Sequence, residues 1–284
     1  MSETTAPSTS LIIGPREFVW GARTYVVGVL NVTPDSFSGD GLGADVEAAL
    51  AQARRFVDEG ADLLDVGGES TRPGFQPLPL EEEIRRVVPV IQRLVAEVDV
   101  PVSIDTYRAV VARAGLEAGA HMVNDIWGFR YDPDMARLVA EFGVPAVVMH
   151  NQRGREFRDV IGDIRAGLEV SVAIAGRAGV PAERLLVDPG FGFGWTEVQN
   201  LEMLRRLGEL RELGLPILIG TSRKSTIGAV LGLPVEERLM GTAATTTLAI
   251  ASGADIVRVH DVREIVQVCR MADAVVRGWR PPGR

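Results

Sequence analysis

Lys224 is the one lysine in the chain; the other 29 of its 30 Lys and Arg residues are arginine. A compact ammonium with three rotatable donors does work that a planar guanidinium cannot, so a solitary lysine marks a place that rejects arginine. It stands in Gly220-Thr221-Ser222-Arg223-Lys224-Ser225, directly after the apolar run Leu215 to Ile219. A strand that ends in such a turn is where α/β enzymes hold small anionic or polar ligands. Other apolar runs end on polar residues too: Asn31, Asp65 with Gly67-Gly68-Glu69, Asp105, Asn124, His150, Asp188, and Arg258 with His260. One such Asp or Asn is ordinarily a cap on the next helix. Together they point to one pocket equipped to donate and accept hydrogen bonds.

Something must bring these distant positions together. Short β-branched runs alternate with helical-period segments, the signature of repeated βα units around a parallel sheet. The runs are Val26–Leu30, Leu63–Val66, Val102–Ile104, Met122–Val123, Ala146–Met149, Leu185–Val187, Ile217–Ile219 and Ile256–Val259. Helices are expected near Val46–Glu59, Leu80–Val98, Tyr107–Ala118, Pro133–Glu141, Ile161–Ala178, Val198–Leu213, Glu236–Ala251 and Val262–Arg277. This rhythm predicts an α/β fold, a single (β/α)₈ TIM barrel over 11–280 whose chemistry gathers at the C-terminal ends of its strands. A doubly wound sheet would carry a glycine fingerprint after its first strand, and none is present. Leu11–Ile13 and Phe18–Trp20 read as a short N-terminal hairpin plugging the barrel bottom. Residues 1–10 and 281–284 read as tails.

Composition narrows the function classes. A net charge of −8 without a lysine-rich stripe argues against nucleic acid. Cys269 is the only cysteine, so no disulfide forms within one chain, and a reducing cytoplasm fits. No run reaches the roughly 18 apolar residues of a membrane span. No P-loop, HExxH or CxxC appears.

Two polar loops complete the picture: Gly28-Val29-Leu30-Asn31-Val32-Thr33-Pro34-Asp35-Ser36-Phe37-Ser38 and Gly67-Gly68-Glu69-Ser70-Thr71-Arg72-Pro73-Gly74. With Ser103-Ile104-Asp105-Thr106, Val123-Asn124-Asp125, Asp188-Pro189-Gly190-Phe191-Gly192-Phe193-Gly194, Thr221-Ser222-Arg223-Lys224 and Arg258-Val259-His260-Asp261, they resemble dihydropteroate synthase, in order from about Val26 to Trp279. The resemblance implies condensation of a pterin methyl diphosphate with p-aminobenzoate, releasing pyrophosphate by a dissociative route, in an enzyme that sulfonamides target. It implies pterin contacts from Asp105, Asn124, Asp188, Lys224 and Phe193. Diphosphate contacts would come from Asn31, Thr71, Arg72, Arg258 and His260, with Mg²⁺ held at Asn31. The aminobenzoate pocket would use Phe37, Arg72, Pro73, Gly190, Phe191 and Ser222, and Asp35, Asp105, Lys224, Arg258 and His260 would be catalytic. A homodimer through the late helices is implied as well.

Trp195 departs from the pattern, since the family usually has lysine after Gly-Phe-Gly. Its presence challenges any electrostatic role of that loop and suggests altered access on the aminobenzoate side. Ser38-Gly39-Asp40-Gly41 reshuffles the usual Ser-Asp-Gly-Gly. Arg153, Arg155 and Arg158 read as a solvated basic loop, with steering of an anionic substrate as the alternative, and His150 as structural. The rival readings are a corrinoid-linked pterin methyltransferase, which would share Asp105, Asn124 and Asp188, and a catalytically silent pterin-binding homologue.

Overall fold

The computed structural model describes residues 10–32, 42–69 and 77–279. Eight parallel strands form the barrel wall: β3 (Tyr25–Asn31), β4 (Leu63–Gly67), β5 (Val102–Asp105), β6 (Met122–Asp125), β7 (Ala146–Met149), β8 (Leu185–Asp188), β9 (Leu218–Ile219) and β10 (Ile256–Val259). Neighbours follow the order β8-β7-β6-β5-β4-β3-β10-β9. The seam between β8 and β9 is closed by a parallel bridge from Val187 to Ile217, with Val187 N donating to Pro216 O at 2.9 Å. The outer helices are α1 (Leu42–Asp58), α2 (Leu80–Glu97), α3 (Ala109–Glu117), α4 (Met135–Phe142), α5 (Val160–Ala178), α6 (Glu197–Arg206), α7 (Ser225–Leu231), α8 (Leu239–Ala251) and α9 (Val262–Val276). Among the described residues, no helix is long and apolar enough to cross a membrane.

Side chains alternate across a strand, so each run sends one set outward to the helices and the other into the barrel. The outward set, including Val26, Leu64, Val66, Ile104, Val123 and Val187, joins the helices in the main core. The inward set is apolar only in its lower half. Val27, Leu63, Met122, Val147, Leu186, Leu218 and Ile256 form a separate cluster with Leu11, Ile13 and Phe18 of the hairpin, β1 (Ser10–Ile13) and β2 (Arg16–Val19). Phe18 stacks 4.6 Å from Tyr25, whose hydroxyl accepts from Val19 N at 2.7 Å. The hairpin therefore plugs the bottom, as expected, although its first strand starts at Ser10, inside the expected tail.

Two helices depart from the sequence reading. The span expected at Val198–Leu213 is α-helical only to Arg206 and continues as a 3₁₀ segment, Leu207–Leu213, where Gly208 lowers helix propensity. Ser225–Leu231 adds α7, whose seven residues are too few to show a helical period. Its position matters, because Lys224 is its N-cap residue.

Candidate active site

Two residues above the apolar layer, the inward positions turn polar. Asp65 on β4 is 1% exposed and accepts on both oxygens. Oδ1 takes the Ser103 hydroxyl at 2.5 Å, while Oδ2 takes Arg258 Nε at 2.6 Å and Asn124 Nδ2 at 2.9 Å. Arg258, reaching across from β10, also donates Nη2 to Asp105 Oδ2 at 2.6 Å. Four strands are thus tied through one guanidinium and two carboxylates. Burial opposes the charge on Arg258, but Asp65 and Asp105 outweigh it and hold its pKa above the ordinary arginine value. Asp105 is pushed upward, by burial first and then by the charge of Asp65, against the pull of Arg258.

The opposite wall is built by the glycine-rich loop after β8. Gly190, Gly192 and Gly194 all have positive φ, at 79°, 83° and 85°. A Cβ on Gly190 would lie 1.9 Å from His150 O, and one on Gly194 would lie 2.4 Å from Arg153 N, so close approach to the β7 end demands glycine at both. The loop puts the Phe193 ring 4.2 Å from Lys224 Nζ and 5.0 Å from Arg153 Cζ. Phe193 packs with Tyr107, Ile126, Trp127 and Met149, an apolar wall distinct from the main core. Asp188 anchors the loop through Gly190 N, which donates to Oδ1 at 2.7 Å. Burial pushes Asp188 up to about 6, against the Gly190 hydrogen bond and the nearby Lys224. Burial, reinforced by Arg258, lowers Lys224 to about 8, while Asp188 and Asp105 pull the other way. Strand register and these contacts set Asp105, Asp188, Lys224 and Arg258 together at the C-terminal mouth of the barrel. It is lined by acceptors on one side, cations at the edge and a flat apolar wall on the other.

At the rim, Ser222 is buried and turned to His260, accepting from its backbone N at 3.2 Å and lying 3.0 Å from Nδ1. Arg223, at φ 56°, is drawn outward to Asp261. Asn31 ends β3 beside Gly67. A hollow of about 550 Å³ lies at the far end of the barrel, lined by residues including Arg16, Arg23, Asp62 and Asp273. Most of its charges are engaged: Arg23 pairs with Asp62, and Asp273 pairs with Arg277 and accepts from Thr24.

A family model of pterin binding enzymes matches residues 27–260. A dihydropteroate synthase of Clostridium beijerinckii is 51% identical over 93% of this chain and 99% of its own. The chain belongs to the dihydropteroate synthase family. A dihydropteroate synthase from Clostridium difficile, solved in the presence of pteroic acid, superposes with a TM-score of 0.89 at 50% identity, covering 92% of this chain and 99% of that one. One from Xanthomonas albilineans in complex with 7,8-dihydropteroate gives 0.86 at 43% identity, covering 94% and 98%.

Of the residues that resemblance to dihydropteroate synthase suggested, Asp105, Asn124, Asp188, Lys224, Phe193 and Arg258 converge on the barrel mouth. Asp35, Ser36, Phe37, Thr71, Arg72 and Pro73 lie outside the described residues. Phe191 does not join those at the mouth. Its ring is 1% exposed in the main core, because glycines on either side turn the loop so that Phe193, not Phe191, faces Lys224. Gly190 serves through its backbone, and Ser222 is occupied by His260. Trp195 is 8% exposed and packs 5.6 Å from His150, so it fills core volume behind the loop. Positive charge on that side comes instead from Arg153, whose guanidinium lies over the Phe193 ring. Burial lowers His150 to about 4, leaving it neutral beside Gln152. Asp125 likewise works locally, accepting from Trp127 N and Phe129 N.

Two contributions escaped the sequence reading. Asp65 was counted among the strand-end residues of the pocket but assigned no contact; a carboxylate in the inward register of Leu-Leu-Asp-Val-Gly was the available signal. Asn200 on α6 accepts from Gly192 N at 2.7 Å and donates to Thr226 of α7 at 3.0 Å. It clamps the Phe193 loop to the helix that follows Lys224.

Proposed function

We infer that the barrel mouth condenses 6-hydroxymethyl-7,8-dihydropterin diphosphate with p-aminobenzoate to give 7,8-dihydropteroate and pyrophosphate, a transferase reaction of folate synthesis. The observation that carries this reading is the grouping of two carboxylates, a carboxamide, a lysine and an aromatic ring at one barrel mouth. A 2-amino-4-oxopterin is a flat plate with adjacent N–H donors, ring-nitrogen acceptors and a carbonyl, and this grouping offers the complement. Asp105 and Asp188 accept its N–H groups, Asn124 pairs beside them, and Lys224 donates to the carbonyl or a ring nitrogen. Phe193 provides an apolar face. A heterocycle with a different pattern would leave buried groups unpaired, which is how such a slot discriminates.

Carbon–oxygen cleavage releases pyrophosphate and leaves a methylene cation delocalised into the pterin ring; the amine of p-aminobenzoate captures it and loses a proton. No side chain attacks covalently. The carboxylates stabilise the developing cation, while Arg258 and His260 favour the departing anion. Asp35, Phe37, Thr71, Arg72 and Pro73 enter this reading through the family resemblance, as parts of the two loops around the diphosphate and aminobenzoate.

Mg²⁺ belongs to the same proposal, with Asn31 as its protein ligand. Among the described residues, no group of three or more His, Cys, Asp or Glu side chains could hold a metal. A single carboxamide oxygen suits an ion that takes its remaining ligands from diphosphate and water. When bound, the ion supplies charge neutralisation to the leaving group. A homodimer is supported by the apolar outer faces of the late helices, where Met240 is 76% and Val275 is 72% exposed. A single-chain mass by light scattering would refute it. We place the protein in the cytoplasm, where its one buried cysteine needs no oxidising environment; cell fractionation tests that.

The deciding assay is pyrophosphate release from the pterin diphosphate, with p-aminobenzoate and with or without a chelator. Product formation that stops on chelation is expected. Pterin binding without turnover would favour a silent homologue, and methyl transfer to cob(I)alamin would favour a methyltransferase. Pterin affinity should also peak between about pH 7 and 8, since Asp105, raised to about 7, protonates before Asp188 does. Below that window Asp105 and then Asp188 take up a proton and each loses an acceptor; above it Lys224 loses its charge. A flat affinity profile from about pH 5 to about pH 9, measured by equilibrium titration, would remove all these groups from pterin binding.

A further inference from the structure

Asp65 lies beneath the pterin slot, and both of its oxygens are engaged by neighbouring side chains. It is almost fully buried, and Ser103, Arg258 and Asn124 occupy its two oxygens. A carboxylate only accepts, so the Asn124 atom facing it is the amide nitrogen. The planar amide then directs its oxygen away from Asp65. Arg258 is constrained in the same way: with Nε on Asp65 and Nη2 on Asp105, the plane of its guanidinium is fixed by two points.

We propose that Asp65 is the positioning residue of the slot: it decides which way round Asn124 presents its amide and at what angle Arg258 presents its guanidinium, and so sets the donor–acceptor pattern read on the pterin. This rests on the pterin reading above and adds to it a residue that touches no ligand. What matters is where the acceptor atom sits, more than the charge it carries. One oxygen, Oδ2, serves both Arg258 and Asn124, while Oδ1 meets a hydroxyl that can donate or accept. An asparagine at this position would keep its oxygen at the shared point and give its amide to Ser103. A glutamate would keep the charge but carry the acceptor one methylene away.

Asp65→Asn and Asp65→Glu therefore separate position from charge. Each is made in the full chain, checked for folding by thermal melting, and titrated with 6-hydroxymethylpterin, which lacks the diphosphate. Asp65→Asn should bind within about threefold of the parent, and Asp65→Glu should weaken by at least about tenfold, the scale of one charge-assisted hydrogen bond. The steady-state counterpart is a raised KM for the pterin substrate in Asp65→Glu alone. The reverse order, with asparagine weak and glutamate near normal, would mean that Asp65 merely balances charge and would overturn the proposal. If Asp65→Glu fails to fold, a loss of about tenfold in Asp65→Asn still overturns it. Failure of the parent protein to bind the pterin would instead sink the functional reading, so the two failures are distinguishable.

Discussion

Arg258→Ala should lower kcat/KM for dihydropteroate formation by about a thousandfold, the upper range for removing one preorganised donor that acts on developing charge. The damage extends beyond the leaving group. Arg258 joins Asp65 and Asp105 through bonds of 2.6 Å, and its removal strands two carboxylates in the barrel interior. Breaking such a buried pair from one side costs about 3–5 kcal/mol of stability. Affinity for a pterin without its diphosphate should therefore fall as well, since Asp105 loses the partner that orients it. A variant that binds this plain pterin normally and fails only with the diphosphate would confine Arg258 to the leaving group.

The stability change should depend on pH in a definite direction. Burial already raises Asp105 above its ordinary value, with Arg258 pulling it back; without Arg258 it rises further. An acid whose pKa is higher in the folded state stabilises the fold while protonated, and that contribution disappears as pH rises through the folded value. The variant's melting temperature should accordingly lie closer to the parent's in mild acid than in mild base. An equal deficit at both would show that Asp105 is not the group left uncompensated.

How far this site was legible in the sequence follows from strand parity. Side chains alternate along a strand, so a polar residue where an apolar run stops is placed on the rim by counting alone; Asp105, Asn124, Asp188 and Arg258 were found that way. Parity is also what could have exposed the contacts of Asp65, two positions before Gly67 on the same inward row. Its importance stayed hidden because its partner Arg258 is 193 residues away, and periodicity within one strand carries no information about which far strand closes the barrel. The glycine-rich loop failed for a related reason. Alternation holds for strands, whereas three positive-φ glycines impose their own turns, so the burial of Phe191 in the core depended on backbone angles that residue types do not reveal. Trp195 replaces the family's lysine in the same loop, and residue type alone could not show that the indole packs behind the loop against His150.

Lys224→Arg should weaken pterin binding by about ten- to a hundredfold while leaving the fold intact, because what is lost is one hydrogen bond from a charged donor. Charge is conserved, so the effect isolates geometry. The lysine shaft runs close to the Phe193 loop: a Cβ on Gly192 would lie 3.0 Å from Lys224 Cδ, and Nζ sits 4.2 Å from the Phe193 ring centre. A longer, planar guanidinium must overshoot the single acceptor or displace the ring. The pH profile offers a second reading on the same variant. Burial and Arg258 bring Lys224 down to about 8, whereas a guanidinium keeps its proton, so the alkaline loss of affinity should vanish even as overall binding weakens. Normal affinity with an unchanged alkaline limb would place the titrating group elsewhere and leave the solitary lysine without a role in the slot.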